Sequence, residues 1–487
     1  MLFNSFTFIL LFLPTTLAVF HGLERQGQHK FALGSLAFAS LIFYGWWSLQ
    51  ALGLLLVLMA ANYVVVWLLL YGSHEDRKRR LLLLAVGVVG NLAVLGYFKY
   101  INFFLENWAA FTSSEATFVA TVLPLGLSFF IFQKIALLVD AHRGKVRHFE
   151  PLGYLLFVSF FPQLIAGPIV HHSEVMPQFV RRGSIQAGTI AQGLTLFVLG
   201  LAKKVLIADT IAGLASPVFD AAAGGILPSI IEAWTAALAY ALQLYFDFSG
   251  YSDMAIGLAL LFGIRLPVNF NSPYKAASII EFWRCWHITL SRFLRDYLYI
   301  PLGGNQHGHI RRYVNLAFTM LLGGLWHGAA WTFVVWGALH AFYLVINHGW
   351  IALRRWAGWT WPSNMLTRLA AISITFTAVL VAWVFFRAAD LSTAGVMLRA
   401  MIGLGSNATH SFSATFASYV IPALLAIVWW APNSTAIVSY VFEDNELTTP
   451  AEFALQRSAG GALIVGMLLS LCLMSLTHVT EFLYFQF

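Results

Sequence analysis

The chain has 487 residues, 59% hydrophobic and only 10% charged, with a mean hydropathy of +0.76. Soluble domains carry about 25% charged and about 45–50% apolar residues, so a water-soluble globular fold is excluded. The net charge of +7 then points to basic loops at a membrane surface rather than to nucleic acid. Two cysteines, Cys285 and Cys472, exclude a disulfide framework and a cysteine metal cluster.

A bilayer-spanning helix takes about 20 apolar residues, and such runs recur along nearly the whole chain, giving roughly eleven to thirteen predicted passes. Lipid offers no partner to a bare N–H or C=O, so helices are the expected element; a barrel would show short alternating segments instead. The predicted class is an all-α polytopic membrane protein. Residues 1–20 are apolar, with no basic residue before Arg25 and no small-residue cleavage pattern, and read as a retained helix rather than a signal peptide.

His74-Glu-Asp-Arg-Lys-Arg-Arg80 and Asp140-Ala-His-Arg-Gly-Lys-Val-Arg147 are basic and are expected on the cytoplasmic side. Three passes before the first of them put residue 1 outside. The run 153–170 is followed by Arg181 and Arg182, again a cytoplasmic signal, and one full pass cannot begin and end on the same side. Phe161-Pro-Gln-Leu-Ile-Ala-Gly-Pro168 also puts two helix-breaking prolines inside it. A re-entrant element is predicted, which survives at membrane depth only within protein or beside a water-filled cavity.

Lys203 and Lys204 interrupt the run 193–208 and read as a cytoplasmic helix end or a structural pair. Asp247 and Asp253 flank Phe-Ser-Gly-Tyr-Ser and read as lining a polar path or as bonding to backbone at a helix break. The polar stretch 265–312 holds Arg265, Lys275, Arg284, Arg292, Arg295, Arg311 and Arg312 and is placed at the cytoplasmic face. The acidic stretch 443–446 reads as a solvated loop, and the sequons at Asn407 and Asn433 carry meaning only in a glycosylating host.

Two segments carry candidate chemistry. Residues 281–301 read as one amphipathic helix. At about 100° per residue, Arg284, Arg292 and Arg295 share one face, and Trp283, His287, Leu290 and Leu294 another. His287 then either faces a reaction cavity, with the arginines serving an anionic donor, or satisfies a backbone carbonyl in an interfacial helix. The second segment, Leu321-Leu-Gly-Gly-Leu-Trp-His-Gly328, sets His327 inside an apolar run. An ionisable residue there is costly and implies function, and an imidazole with an unperturbed pKa of about 6.5 suits general-base work. A structural histidine bonded to a neighbouring helix is the alternative. Gly323, Gly324 and Gly328 permit close approach around His327, while His340 reads as structural or interfacial. No G-x-S-x-G elbow, P-loop, H-E-x-x-H or cysteine–histidine metal spacing occurs, and no metal is expected.

Six motifs in order resemble the membrane-bound O-acyltransferase family, in its alginate-acetylating branch. They are Leu123-Pro-Leu-Gly-Leu-Ser-Phe-Phe130, Leu138-Val-Asp-Ala-His-Arg-Gly144, Phe160-Phe-Pro-Gln-Leu-Ile-Ala-Gly-Pro168, Tyr245-Phe-Asp-Phe-Ser-Gly-Tyr-Ser-Asp253, Phe282-Trp-Arg-Cys-Trp-His-Ile-Thr-Leu-Ser291 and Leu325-Trp-His-Gly328. Cys285 stands where a second arginine is expected, which weakens a two-arginine donor clamp. The resemblance implies a single acyltransferase domain over 1–487 with its core near 120–345. It also implies a funnel of helices, some broken or re-entrant, around a central tunnel. His327 would be the catalytic histidine and His287 the second polar position. Arg284, Arg292 and Arg295 are the candidates for the donor's phosphates.

The resemblance further implies acetyl-coenzyme A as a cytoplasmic acyl donor, with no permanently bound cofactor. The acetyl group would pass across the inner membrane to a periplasmic SGNH-type acetyltransferase and on to an exported polysaccharide. Alginate is the leading candidate polymer; peptidoglycan, cellulose and teichoic acid are the others. Membrane lipid is a partner and nucleic acid is not. The competing readings are a transporter or flippase for a polysaccharide precursor and a non-catalytic scaffold for the periplasmic enzyme. A transporter favours pseudo-symmetric halves with paired broken helices, and none is visible.

Overall fold

Helices close the backbone hydrogen bonds of this chain in a computed structural model that describes residues 1–72, 76–115, 118–147, 149–180, 185–359, 364–406, 414–442, 455, 458–476, 480 and 482–483. Among the described residues the β content is an isolated bridge between Ser229 and Ser406, so the all-α expectation holds. His74, Arg181, Arg182, the acidic stretch 443–446 and the sequon at Asn407 lie outside the described residues.

Six helices among the described residues are long and apolar enough to cross a membrane: Thr7–Arg25, Leu49–Tyr71, Arg77–Thr112, Ala187–Ala223, Trp331–Trp356 and Met365–Arg387. The protein is a multi-pass membrane protein. Faces that lack a protein neighbour are apolar, as lipid requires: Leu81, Leu82, Val86 and Val89 are all more than half exposed. Other apolar runs fold as shorter helices, among them His29–Gly45, Leu127–His142, Ala414–Trp430 and Ala459–Ser475.

The chain forms two compact units interleaved in sequence. The first holds Met1–Ala202, Tyr251–Val268 and Ile437–Gln486; the second holds Lys203–Gly250 and Asn269–Ala436.

In the first unit, Asn62 and Asn91 exchange amide hydrogen bonds of 2.7 and 3.2 Å between the Leu49–Tyr71 and Arg77–Leu95 helices. Each also donates to the carbonyl four residues earlier, so these buried amides are satisfied without water. Gly193 and Gly257 let two helices cross at backbone contact, since a Cβ on Gly193 would lie 2.7 Å from the Gly257 carbonyl oxygen. The predicted break near residue 161 is present. Helix Pro151–Ser159 ends where Phe160 leaves helical geometry (ψ 108°), and only the four-residue Phe161–Leu164 helix follows. Nine residues rise about 13.5 Å, less than half the hydrocarbon core. Residues 156–170 are buried throughout, which gives broken backbone the protein surroundings it needs.

The second unit is built around the Gly308–His327 and Trp331–Trp356 helices. A Cβ on Gly324 would collide with the Phe333 carbonyl oxygen, and one on Gly337 with that of Met320. Glycine is therefore what lets the two backbones touch. Below them, Tyr274 donates to the Ala241 carbonyl at 2.8 Å, and Lys275 donates to the Ala431 carbonyl at 2.7 Å.

Candidate active site

His327 is the last residue of its helix, not the middle of a long one. The apolar run 313–350 divides at Gly328, whose extended backbone (φ −158°) ends the helix. A Cβ on Gly328 would overlap the Phe333 ring, so a larger residue there would have to displace that ring. The His327 side chain is buried, with its ring centre 4.9 Å from Trp326, 5.0 Å from Trp336 and 5.2 Å from Phe386.

His287 does not lie on a continuous amphipathic helix. The predicted 281–301 helix is three pieces: Ile279–Cys285, Ile288–Leu294 and a wider turn over Arg295–Tyr299. The break falls on His287, which takes the left-handed conformation (φ 43°, ψ 53°) that non-glycine residues adopt at a cost of about 1–2 kcal/mol. Asn269 compensates for it. Its backbone carbonyl accepts from the Ile288 N–H at 3.0 Å. Its side-chain oxygen accepts from the Thr289 N–H at 3.3 Å and the Thr289 hydroxyl at 2.9 Å, and lies 3.1 Å from His287 Nδ1.

That arrangement decides a proton. A backbone N–H only donates, so the Asn269 atom facing Thr289 is the amide oxygen, which only accepts. His287 Nδ1 therefore carries hydrogen. Burial pushes the imidazolium of His287, which lies outside the six candidate spans, down to about 3, so the ring is neutral with its lone pair on Nε2. Asn269 gave no sequence signal beyond its place in a turn-like Asn-Phe-Asn-Ser-Pro stretch, since its role depends on residues 18 to 20 positions away.

The structure brings the two histidines to one side chain: the Trp326 ring lies 6.1 Å from His287 and 4.9 Å from His327. Phe248 adds an edge contact to His287 at 4.8 Å. The site is buried, aromatic and polar at chosen points, as a water-excluding reaction site requires.

The defining pattern of the membrane-bound O-acyltransferase family matches residues 80–384, which include both histidines. The chain belongs to that family. It is an acyltransferase. A peptidoglycan O-acetyltransferase of Helicobacter pylori is 44% identical over 432 residues, covering 83% of this chain and 80% of that protein. A probable alginate O-acetylase of Pseudomonas putida is 38% identical over 100% of both chains. A teichoic acid D-alanyltransferase of Streptococcus thermophilus is 28% identical across 54% of this chain and 68% of that one.

In this membrane-bound acyltransferase the three arginines do not form one stripe, because the kink at His287 separates Arg284 from the other two. Arg284 is exposed, Arg292 half-buried, and Arg295 exposed and paired with Asp296 at 2.7 Å. Cys285 ends the first piece half-buried, its thiol pushed up to about 11 by burial and by Glu281.

Lys204 is no helix end. It sits in a wider helical turn, Lys203–Ala208, inside the long Ala187–Ala223 helix, with Nζ 2.8 Å from carboxylates of both Asp209 and Asp247. Of the two readings of Asp247 and Asp253, the helix break is absent, since Ile230–Leu261 is one helix. The Asp247 carboxylate is compensated by a lysine from another helix, so the backbone does not have to open. A cleft of about 1520 Å³ lies in the first unit, lined by residues such as His21, Arg25, His29 and Arg265. None of the five predicted site residues lines it.

Proposed function

We propose that this acyltransferase takes acetyl from a cytoplasmic thioester donor, acetyl-coenzyme A, and passes it across the inner membrane for O-acetylation of an exported polysaccharide. The observation that carries the reading is the pair of buried histidines on one indole, inside the stretch that matches the family. The names of its relatives support a cell-envelope polymer as final acceptor and divide between alginate and peptidoglycan for the O-acetyl cases. Delivery through a periplasmic SGNH-type partner keeps the charged coenzyme on its own side of the membrane and moves only a small neutral group.

In the proposed step, His327 removes the proton of an acceptor hydroxyl as its oxygen attacks the thioester carbonyl. The tetrahedral centre collapses, the C–S bond breaks, and the leaving thiolate takes the proton back from His327. The products are an ester and a free thiol, and His327 returns to its neutral state. His287 offers a lone pair at Nε2 and no hydrogen there. It is therefore suited to accept a hydrogen bond from the incoming hydroxyl and unsuited to donate one to the carbonyl. Arg284, Arg292 and Arg295 are the proposed contacts for donor phosphates. They act as separate positive charges rather than as one clamp.

The test is polymer O-acetylation in cells carrying His327→Ala, with membrane abundance of the protein and transfer from labelled acetyl-coenzyme A measured in parallel. Loss of both activities at normal abundance supports the reading. Undiminished acetylation refutes it and leaves a scaffold. Loss in cells with transfer intact in membranes points to transport.

A further inference from the structure

The transfer step places negative charge on the acyl carbonyl oxygen, and the two histidines supply no hydrogen for it. His327 is occupied as the base, and the single hydrogen of neutral His287 faces Asn269. Donors aimed at such an oxygen are commonly the largest single contribution to acyl-transfer catalysis, so the site needs another source.

Through Trp336, the His327 ring adjoins a set of buried ring nitrogens without a hydrogen-bond partner. Trp336 is 1% exposed and His340 0% exposed. The Trp336 indole nitrogen, the Trp283 indole nitrogen and both ring nitrogens of His340 are buried without a hydrogen-bond partner. Their rings are mutual neighbours: His340 lies 4.7 Å from Trp336 and 5.1 Å from Trp283, and the two indoles are 5.9 Å apart. Trp336 in turn meets the His327 ring at 5.0 Å. Trp336 and His340 are one turn apart on the same helix, Trp331–Trp356, so both side chains project from one face. Nearly all buried polar groups in folded proteins are paired, and each exception calls for a cause. Four such nitrogens on three neighbouring rings, one of which meets His327, call for a common one.

We propose that Trp336, Trp283 and His340 form the acyl subsite of this enzyme, with their N–H groups donating to the carbonyl oxygen of the acyl group in transfer. The indole rings supply apolar walls for the acetyl methyl, and the nitrogens take the oxygen's charge as the hydroxyl attacks. The charge returns to the C=O bond when the thiol departs. This assignment rests on the acyltransfer reading above and leaves His287 the acceptor hydroxyl.

The test uses the full-length chain in native membranes with labelled acetyl-coenzyme A, comparing Trp336→Phe, Trp283→Phe and His340→Phe with the parent. Each variant keeps an aromatic ring and removes N–H donors. The expected result for Trp336→Phe is a kcat lower by about 10²–10³, the range for loss of one oxyanion donor. KM for acetyl-coenzyme A stays within about twofold, and the thermal midpoint is unchanged or raised, because an unpaired buried N–H is a burden to the fold. Smaller kcat losses are expected at Trp283 and His340. Activity within about twofold of the parent in all three variants overturns the proposal, as does a kcat loss that appears only with a lowered midpoint. His327→Ala run alongside separates the two levels: if it retains transfer, the acyltransfer reading itself has failed. If it loses transfer while the three variants do not, only the subsite assignment has.

Discussion

His327 and His287 are buried alike, meet the same indole and sit at different kinds of chain break. A helix ends on His327, the chain leaves it through Gly328, and three aromatic rings wall it. His287 is set by a hydrogen bond in a left-handed kink, with Asn269 serving both the ring and the backbone after it. The Asn269 contact fixes where the His287 ring sits and also which of its nitrogens carries the proton. The two positions are therefore built differently, a helix end and a left-handed kink, and the roles proposed for them are not expected to be interchangeable.

The comparison breaks most visibly if the two alanine variants behave alike. His327→Ala is expected to lower transfer from labelled acetyl-coenzyme A by about 10²–10⁴, the usual worth of a positioned base. His287→Ala is expected to lose less and to raise KM for the acceptor. Equal losses in kcat would erase the distinction between the roles.

Next in size is Asn269→Leu, which strips the acceptor from the Thr289 N–H, the Thr289 hydroxyl and His287 Nδ1. A buried donor left unmet costs about 1–3 kcal/mol, so the thermal midpoint and membrane abundance should both fall. Asn269→Asp keeps an acceptor and should keep the fold. Its carboxylate would favour a protonated His287, so its activity should drop at neutral pH and recover as pH rises.

A smaller effect follows from pH. The folded-state value of His287 lies below its unfolded value of 6.5, so the unfolded chain binds the proton first as pH falls. The contribution of the neutral ring is intact above about 6.5 and is lost progressively as pH falls from there toward about 3, at no more than about 1.4 kcal/mol per pH unit. The thermal midpoint should therefore fall between pH 7 and pH 5 in the parent and fall less in His287→Gln. Identical pH slopes would count against a buried neutral His287.

The smallest change expected is at Arg295→Ala. The side chain is exposed and already paired with Asp296, and exposed ion pairs are worth about 0–1 kcal/mol. KM for acetyl-coenzyme A should rise no more than about fivefold, and the effect should shrink with added salt. No change at low salt would remove Arg295 from the donor site.

The amino-acid sequence by itself determined that the chain is helical and membrane-embedded, that a helix entering the stretch 161–168 must break, and that His327 is a buried candidate for either chemistry or a structural bond. Each of these is a local property. Apolar runs, prolines and a histidine inside an apolar run are read the same way wherever the chain folds. The tertiary structure decided the rest: the kink at His287, the proton on its Nδ1, the helix end at His327 and the pairing of Lys204 with Asp247. The cluster of unpaired nitrogens around His340 belongs there too. Helical periodicity predicted one continuous helix for residues 281–301, but a carbonyl and an amide from Asn269 outbid the next turn of helix. Spacing left Lys204 as a helix end or a structural residue, and a carboxylate from another helix decides between them. In lipid every polar group must find its partner within the protein, and which partner it finds depends on contacts between distant residues that spacing along the chain does not encode.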